Sequence, residues 1–307
     1  MITSFLEHAG WSGADRTPFA PDASSRRYWR VQAGARSAVL MVANVETPEG
    51  QESLAAFRRI SNHLRGLGLS APAEYASSIQ TGHLLLEDLG DVSLAGLIEN
   101  EAKDASGAYE CAAEGLAHIA SAAPAEGVKA LGSEGLASLV ELTFSLVPDA
   151  NDLRERLLIA LSEAIATHAS GPSSLSLRDV HGDNLMWLPD RNGVAGIGWL
   201  DFQDAVVLPN GYDLASLIDD PRRVVPRHLA NDLIRAHSDA RRNAVLSLAR
   251  NLRILGIFHR LAAIHSKPVY RDFLPRTREL IVERLADLPG LRAPVTELLD
   301  RTAGWQM

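Results

Sequence analysis

The residues best placed to do chemistry lie in one short stretch, LRDVHGDNLMWLPDRNGVAGIGWLDFQDA, the densest polar segment of the chain. From residue 185 to 200 it runs apolar LMWL, turn-forming PDRNG, apolar VAGIGWL, a β-hairpin pattern with Asn-Gly near its tip. Antiparallel pairing about that tip makes the numbers of opposed residues sum to about 385. Asn184 and Asp201 therefore sit side by side at the open end, give or take a residue or two. An amide and a carboxylate whose oxygens converge can hold a hard cation such as magnesium, which takes oxygen ligands and keeps several waters. Asp179, on the loop entering the same end, can approach that cation without being spent as its ligand.

The elements that must position these residues follow from the rest of the chain. With 307 residues, 46% hydrophobic and 22% charged, the chain can bury a sizeable core, as two lobes or one large unit. The net charge of -8 argues against a nucleic-acid or anionic-membrane partner. A single cysteine, Cys111, excludes an intramolecular disulfide framework, and the scattered histidines show no zinc-ligand spacing. No apolar run reaches the length of a spanning helix, and MITSFLEHAGWSGADR has neither a basic leader nor an apolar core, so a reducing cytoplasm is expected.

Strand patterns occupy residues 27–32 (RYWRVQ) and 37–43 (SAVLMVA) with AGAR as a hairpin connection, and two more are expected in LGLSAPAEYASSI and HLLLEDLG. One helix, 52–66, carries Leu54, Phe57, Ile60 and Leu64 at helical spacing. From residue 93 the texture turns helical, at about 93–101, 106–122, 134–146 and 150–169, then again at 213–219, 227–248, 249–265 and 276–288. The expected architecture is α+β. A small N-terminal unit, 1–88, carries a sheet and one helix, and a larger, mainly helical part, 89–307, contains the hairpin.

One Asp on a loop, an Asn five residues later, a hairpin and then Asp-Phe is the arrangement of kinase-type phosphoryl transfer. LRDVHGDN resembles the catalytic loop of the protein-kinase-like fold, with Leu177 where a histidine usually stands. LDFQDA and YDLASLIDDPRR resemble the aminoglycoside phosphotransferase and choline kinase superfamily. Within it, ASSRRYWRV, LLLEDLGD, LMWL and RNLRILGIFHRLA are similar to bacterial anomeric kinases of cell-wall amino sugars, which phosphorylate N-acetylmuramate or N-acetylglucosamine at C1. The resemblance runs from about residue 22 to 270. It implies a bilobal kinase-like fold with an antiparallel N-terminal sheet, ATP as donor and Mg2+ as cofactor. The acceptor would be a small-molecule hydroxyl, most readily that of an amino sugar, with an aminoglycoside or other small alcohol as the alternative and a nucleotide-binding pseudokinase as a further one.

Residue by residue, the resemblance makes Asp179 the catalytic base and Asn184 and Asp201 the metal ligands. The HGD triplet offers Asp183 instead, but five residues after Asp183 stands Leu188, not Asn. Ser24, Ser25, Arg26 and Arg27 fall on the phosphate-covering loop, and Glu87 and Leu89 on the inter-lobe hinge, where backbone groups read adenine. The family's strand lysine is replaced by Met41, and lysine occurs only at positions 103, 129 and 267. Either Arg26 or Arg27 supplies the missing charge, since neighbours on an extended segment point to opposite sides; Glu52 is then the helix partner, or simply a residue favoured near a helix start. Asp213 either hydrogen-bonds the catalytic loop or caps a helix. Arg250, Asn251 and Arg260 either line a sugar pocket or form a solvated helix face.

Overall fold

The computed structural model describes residues 2–19 and 26–306. Its N-terminal part consists of α1 (Ile2–His8), β1 (Asp15–Pro18), β2 (Arg27–Ala33), β3 (Arg36–Val42), α2 (Pro48–Gly66), β4 (Glu74–Ser78) and β5 (His83–Glu87). The five strands form one sheet in the order β1-β2-β3-β5-β4, every neighbouring pair antiparallel. β2 and β3 are joined by a two-residue turn whose first residue, Gly34, has φ 62°, a conformation that glycine adopts without strain. Helix α2 starts four residues earlier than its apolar spacing suggests. Thr47 caps it, its hydroxyl accepting from Gly50 N at 3.2 Å, and Pro48 takes the first turn, where a missing N–H costs nothing.

Leu54, Phe57, Ile60 and Leu64 of α2 are buried in one cluster with Met41, Leu84 and Leu86 of the sheet. The opposite face, with Val31, Leu40 and Leu85, is covered by Leu6 of α1 and by Trp11. The N-terminal unit thus has a second, short helix that the sequence pattern did not announce.

The remainder is mainly helical: α3 (Leu94–Glu99), α4 (Ala105–Ser121), α5 (Ser133–Ser138), α6 (Glu141–Phe144) and α7 (Asn151–His168), then β6 (Ser173–Ser176), β7 (Leu185–Trp187), β8 (Ile197–Trp199) and β9 (Val206–Pro209), then α8 (Tyr212–Ile218), α9 (Arg227–His237), α10 (Ala240–Ala263), α11 (Leu274–Arg284) and α12 (Arg292–Arg301). The mixed fold, an antiparallel sheet followed by a helical bulk, has the bilobal kinase-like architecture expected. Among the described residues no helix is long and apolar enough to cross a membrane.

Two pairings frame the polar segment. β6 and β9 pair antiparallel from Ser173↔Pro209 to Ser176↔Val206, which closes residues 177–205 into one loop. Inside it, β7 and β8 pair as a hairpin with Leu185 opposite Trp199. The hairpin is shorter than expected: residues 193–196 form a 3-10 turn instead of strand. Trp199, fully buried, wedges against Gly115 of α4 so closely that a Cβ there would lie 2.6 Å from its ring.

The sequence pattern divides residues 227–265 at 248/249, whereas the structure divides them at Ser238 and Asp239 and runs α10 unbroken for 24 residues. Asp239 sets the break, its side chain accepting from Arg242 N at 2.9 Å. Asp239→Ala should lower stability by about 0.5–2 kcal/mol. Equilibrium urea unfolding gives the value, and an unchanged midpoint would show that packing alone starts the helix.

Candidate functional site

Asp213 organises the site from below. In the first turn of α8, its buried carboxylate accepts from Ser176 Oγ at 2.7 Å, Leu177 N at 2.7 Å and Arg178 N at 3.1 Å. These bonds hold the exit of β6 in a bend where Arg178 takes φ 70°, a left-handed conformation that needs external support in a non-glycine residue. Asp179 follows directly. Burial drives the Asp213 pKa up to about 6 despite the three donors.

Asn184 ends a 3-10 turn before β7, and its backbone carbonyl accepts from Leu200 N at 2.9 Å. The opposed residue numbers therefore sum to 384 (185 and 199), one less than the sequence arithmetic, and Asn184 faces Leu200 rather than Asp201. A one-residue offset normally sends a strand side chain to the other face. Asp201, however, leaves the strand at φ 58°, and its carboxylate lies in the field of Asp179 and His181. The Asn184 amide donates to Asp179 O at 2.9 Å and faces His181 Nε2 at 3.0 Å, so its nitrogen is spent and Oδ1 remains.

Asp201 is accessible to solvent, and its Oδ1 accepts from Gln203 Nε2 at 2.8 Å. Loss of hydration in the recess and the neighbouring Asp179 carboxylate raise its pKa, outweighing Gln203, Arg26 and His181. An amide oxygen and a carboxylate short of positive charge are donors that suit a hard divalent cation.

A second acidic group, His181, Asp183 and Asp220, has ligand atoms within 4.8 Å of one another. Its charge is already neutralised. Arg223 bonds both Asp183 oxygens at 2.9 Å and Asp220 at 2.9 Å, and Arg222 bonds Asp220 at 2.9 Å. Asp183 is thereby locked in ion pairs. Burial works against its ionisation, but His181 and Arg223 prevail and hold its pKa well below the usual carboxylate range.

Among the described residues Asp179 is in no ion pair. Burial disfavours its charge, yet His181, Arg250, Arg253 and Arg222 together bring its pKa below the ordinary value. Of these, the sequence pattern singled out only Arg250.

On the N-terminal side, Ser24 and Ser25 lie outside the described residues. Arg26 is buried and turns inward, donating to Gln203 Oε1 at 2.8 Å, Ser53 Oγ at 2.7 Å and Ser53 O at 3.2 Å, with its guanidinium 5.5 Å from the Phe57 ring. Arg27 points the other way, exposed over Trp29. The helix partner is Ser53 rather than Glu52, which faces outward toward Arg59. Met41 is fully buried in the sheet core. Phe57 stacks on Phe202 at 5.1 Å between ring centres, so the Asp-Phe pair of the polar segment docks on α2 beside Arg26.

Glu87 accepts from Arg191 Nη2 at 2.5 Å and from Ala73 N at 3.2 Å, tying the end of β5 to the turn beyond β7. Leu89 is buried against Gly198. Asn251 is buried, 3.3 Å from Ser247 Oγ and 3.5 Å from Asp219 O. Arg260 is not in the cleft: it is exposed near the end of α10, about 15 Å along the axis from Arg250. Gln203, Arg223 and Arg253 carried no spacing that set them apart. Gln203 stands two residues after Asp201, and that proximity was the one available sign.

An antiparallel sheet followed by a helical bulk, with Asp179, Asn184 and Asp201 near the open end of a hairpin, is the arrangement expected of a phosphotransferase. The Phosphotransferase enzyme family (APH) matches residues 15–246, and the chain belongs to it. It is an enzyme that transfers a phosphoryl group, with a nucleotide as donor. The chain is 33% identical to an N-acetylmuramate/N-acetylglucosamine kinase of Caulobacter vibrioides over 89% of its length and 88% of the relative's. A protein of the same name from Pseudomonas aeruginosa is 27% identical, covering 94% of this chain and 90% of the relative. Among solved structures, aminoglycoside phosphotransferase APH(4)-Ia superposes with a TM-score of 0.65 at 14% identity, over 94% of this chain and 98% of that one. Choline kinase LicA of Streptococcus pneumoniae superposes at 0.59 and 13% identity, over 87% and 92%. Both likenesses bear on the fold alone.

The Asp213 pKa generates a test. A carboxyl whose folded pKa is raised from the ordinary 3.8 to about 6 stabilises the fold most while protonated, and that contribution is lost as pH rises from about 4 through 6. The stability advantage of the wild type over Asp213→Asn should therefore shrink by roughly 2–3 kcal/mol between pH 4 and 7. Denaturant midpoints across that range measure it, and a constant difference would mean that Asp213 stays ionised throughout.

Proposed function

We propose that this enzyme transfers the γ-phosphoryl group of ATP to the anomeric hydroxyl of an N-acetylated amino sugar of the cell wall, N-acetylmuramate or N-acetylglucosamine. The observation that carries the reading is the meeting of Asp179, Asn184 and Asp201 at the open end of the hairpin, beside the inward-turned Arg26. The names of the relatives at 33% and 27% identity support the acceptor.

In this reading residues 1–88 hold the nucleotide and residues 89–307 carry the acceptor. Asp179 orients the attacking hydroxyl. The sugar oxygen forms its bond to the γ-phosphorus as the bond to the β,γ-bridging oxygen breaks, ADP leaves, and the hydroxyl proton passes to the Asp179 carboxylate. Its depressed pKa makes it a weak base, which suits a loose transition state in which the proton moves late. Asn184 Oδ1 and Asp201 would hold Mg2+, whose chemistry when bound is to neutralise charge on the phosphate oxygens.

Gln203 keeps Asp201 in place, and Asp213 keeps Asp179 in place through the loop backbone. Arg26 stands in for the lysine absent at Met41, and Ser24, Ser25 and the backbone at Glu87 and Leu89 complete the nucleotide site. Arg27 lies outside it. Arg250 and Asn251 back the acceptor side. A reaction that draws on ATP fits a cytoplasmic location.

Asp179→Asn should lower kcat on the order of a hundredfold or more while the KM for ATP changes little, because the donor does not contact it. Steady-state assays of ADP release with both amino sugars check this, and near-normal turnover with an inactive Asp183→Asn would move the role to Asp183. Arg26→Ala should cost about 2–4 kcal/mol in kcat/KM for ATP, with Arg27→Ala nearly silent. Equal effects from the two would remove Arg26 from the nucleotide site.

A further inference from the structure

The helical side of the site contains two arginines that form no ion pair among the described residues. Arg250 is 1% exposed, and its guanidinium makes only two long contacts, from Nη1 to Asp219 O and to Asn251 Oδ1, both 3.4 Å. Its Nε and Nη2 have no acceptor. Arg253, half-buried and three residues further along α10, has Nη1 buried without a partner among the described residues. The Tyr212 hydroxyl, within the field of both arginines and of Asp179, is buried and unpartnered as well.

The nearby carboxylates are engaged elsewhere. Asp219 is held bidentately by Arg284 at 2.7 and 2.6 Å, Asp220 by Arg222 and Arg223 at 2.9 Å each, and Asp183 by Arg223. Asp179 attracts both arginines but lies within ion-pair distance of neither among the described residues.

Leaving buried guanidinium N–H groups without acceptors costs free energy, so such a group marks either strain or a place where something binds. Here Arg250 and Arg253, each with an unmet donor, lie within electrostatic reach of the unpartnered Tyr212 hydroxyl and of the proposed base. Their location decides which anion fits. The phosphate-facing groups, Arg26, Gln203 and Asp201, form a connected chain on the sheet side. Arg250, Arg253 and Tyr212 come from α10 and α8 on the helical side, where the acceptor must stand for its hydroxyl to reach Asp179. An anion there belongs to the acceptor. Of the two sugars in the names of the relatives, N-acetylmuramate carries a lactyl carboxylate and N-acetylglucosamine has none.

We propose that Arg250 and Arg253, with the Tyr212 hydroxyl, form an anion subsite of the acceptor pocket that binds a carboxylate on the sugar, so that the enzyme favours an acidic amino sugar over its neutral counterpart. The proposal rests on the acceptor reading given above. Two guanidinium groups can grip a carboxylate at two oxygens, with the tyrosine hydroxyl donating to one of them. A neutral sugar leaves the same donors unmet and binds more weakly for that reason.

Arg253→Gln is the informative variant, because Arg253 is only half-buried and its loss spares the core. Calorimetry without nucleotide measures the binding of N-acetylmuramate and of N-acetylglucosamine, and steady-state kinetics measures their turnover. Wild type should bind the acid about 10- to 100-fold tighter, and Arg253→Gln should erase that binding preference by weakening the acid far more than the neutral sugar. Arg253→Lys should restore part of it. Equal wild-type affinity for the two sugars overturns the subsite, as does a variant that weakens both alike. A fall in kcat for both sugars with the binding preference intact would assign Arg253 to the transferred phosphoryl group instead, and also overturns it. Preferential binding of the acid without turnover of either sugar would uphold the subsite and sink the proposed acceptor alone.

Discussion

The site depends on one buried carboxylate accepting three hydrogen bonds. Asp213 meets the hydroxyl of Ser176 and the N–H groups of Leu177 and Arg178, all within 3.1 Å. Without it, the bend after β6 would leave the buried Leu177 N unpaired and Arg178 N with Ser176 Oγ alone, at 3.2 Å, and Arg178 would lose the support that keeps it left-handed. Since Asp179 is the next residue, its direction is set by that bend. Pairing of β6 with β9 fixes the far end of the same loop, so a 29-residue polar segment is clamped at both ends and stiffened in the middle by a three-residue hairpin. The chemistry-bearing side chains are short, and the backbone does the aiming.

Charge distribution around this clamp divides the cleft into two regions. On the sheet side the balance is negative: Asp201 and Asp179 repel one another, and Gln203, Arg26 and His181 do not fully offset the charge on Asp201. On the helical side it is positive, because Arg250 and Arg253 outnumber the carboxylates left free to pair. Asp179 lies at the boundary, which explains why its pKa falls while that of Asp201, a few ångströms of chain geometry away, rises. A cation is drawn to one side and an anion to the other, with the proposed base between them.

The fold was largely readable from periodicity. The sheet, the main helices and the hairpin follow from alternation, helical spacing and turn residues, and the triad Asp179, Asn184 and Asp201 stands out by spacing alone. What could not be read is instructive. The hairpin register slipped by one because Val194, Ala195 and Gly196, apolar like a strand, close a 3-10 turn instead. Asp201 still reaches the cleft only because φ 58° undoes the slip, and no sequence pattern encodes that dihedral. β6 and β9, four residues each, are too short to show a period. Arg253 and Gln203 matter through what surrounds them in space, which is invisible along a line. Arg260 looked like Arg250 in sequence and proved to lie on another part of the same helix, since ten residues is neither a whole number of turns nor a short distance.

In the proposed nucleotide site, the charge of the missing strand lysine passes to a residue just before β2. A lysine at position 41 would need its stem to pass through the packed layer between β3 and α2, where Met41 now sits among Leu54, Phe57 and Leu84 with no exposure. An arginine at the entrance to β2 approaches the same volume from the rim. Its planar head lies against Phe57 and reaches Ser53 and Gln203 at once, three contacts that an ammonium could not share in that geometry. The exchange also alters coupling. A lysine partnered by a helix glutamate would tie nucleotide charge to the position of α2 alone, whereas Arg26 connects α2 to Asp201 through Gln203. The helix and the proposed metal ligand are thereby linked through three hydrogen bonds, of 2.7, 2.8 and 2.8 Å, and the apolar core beneath, relieved of any buried charge, can pack as an ordinary sheet–helix interface.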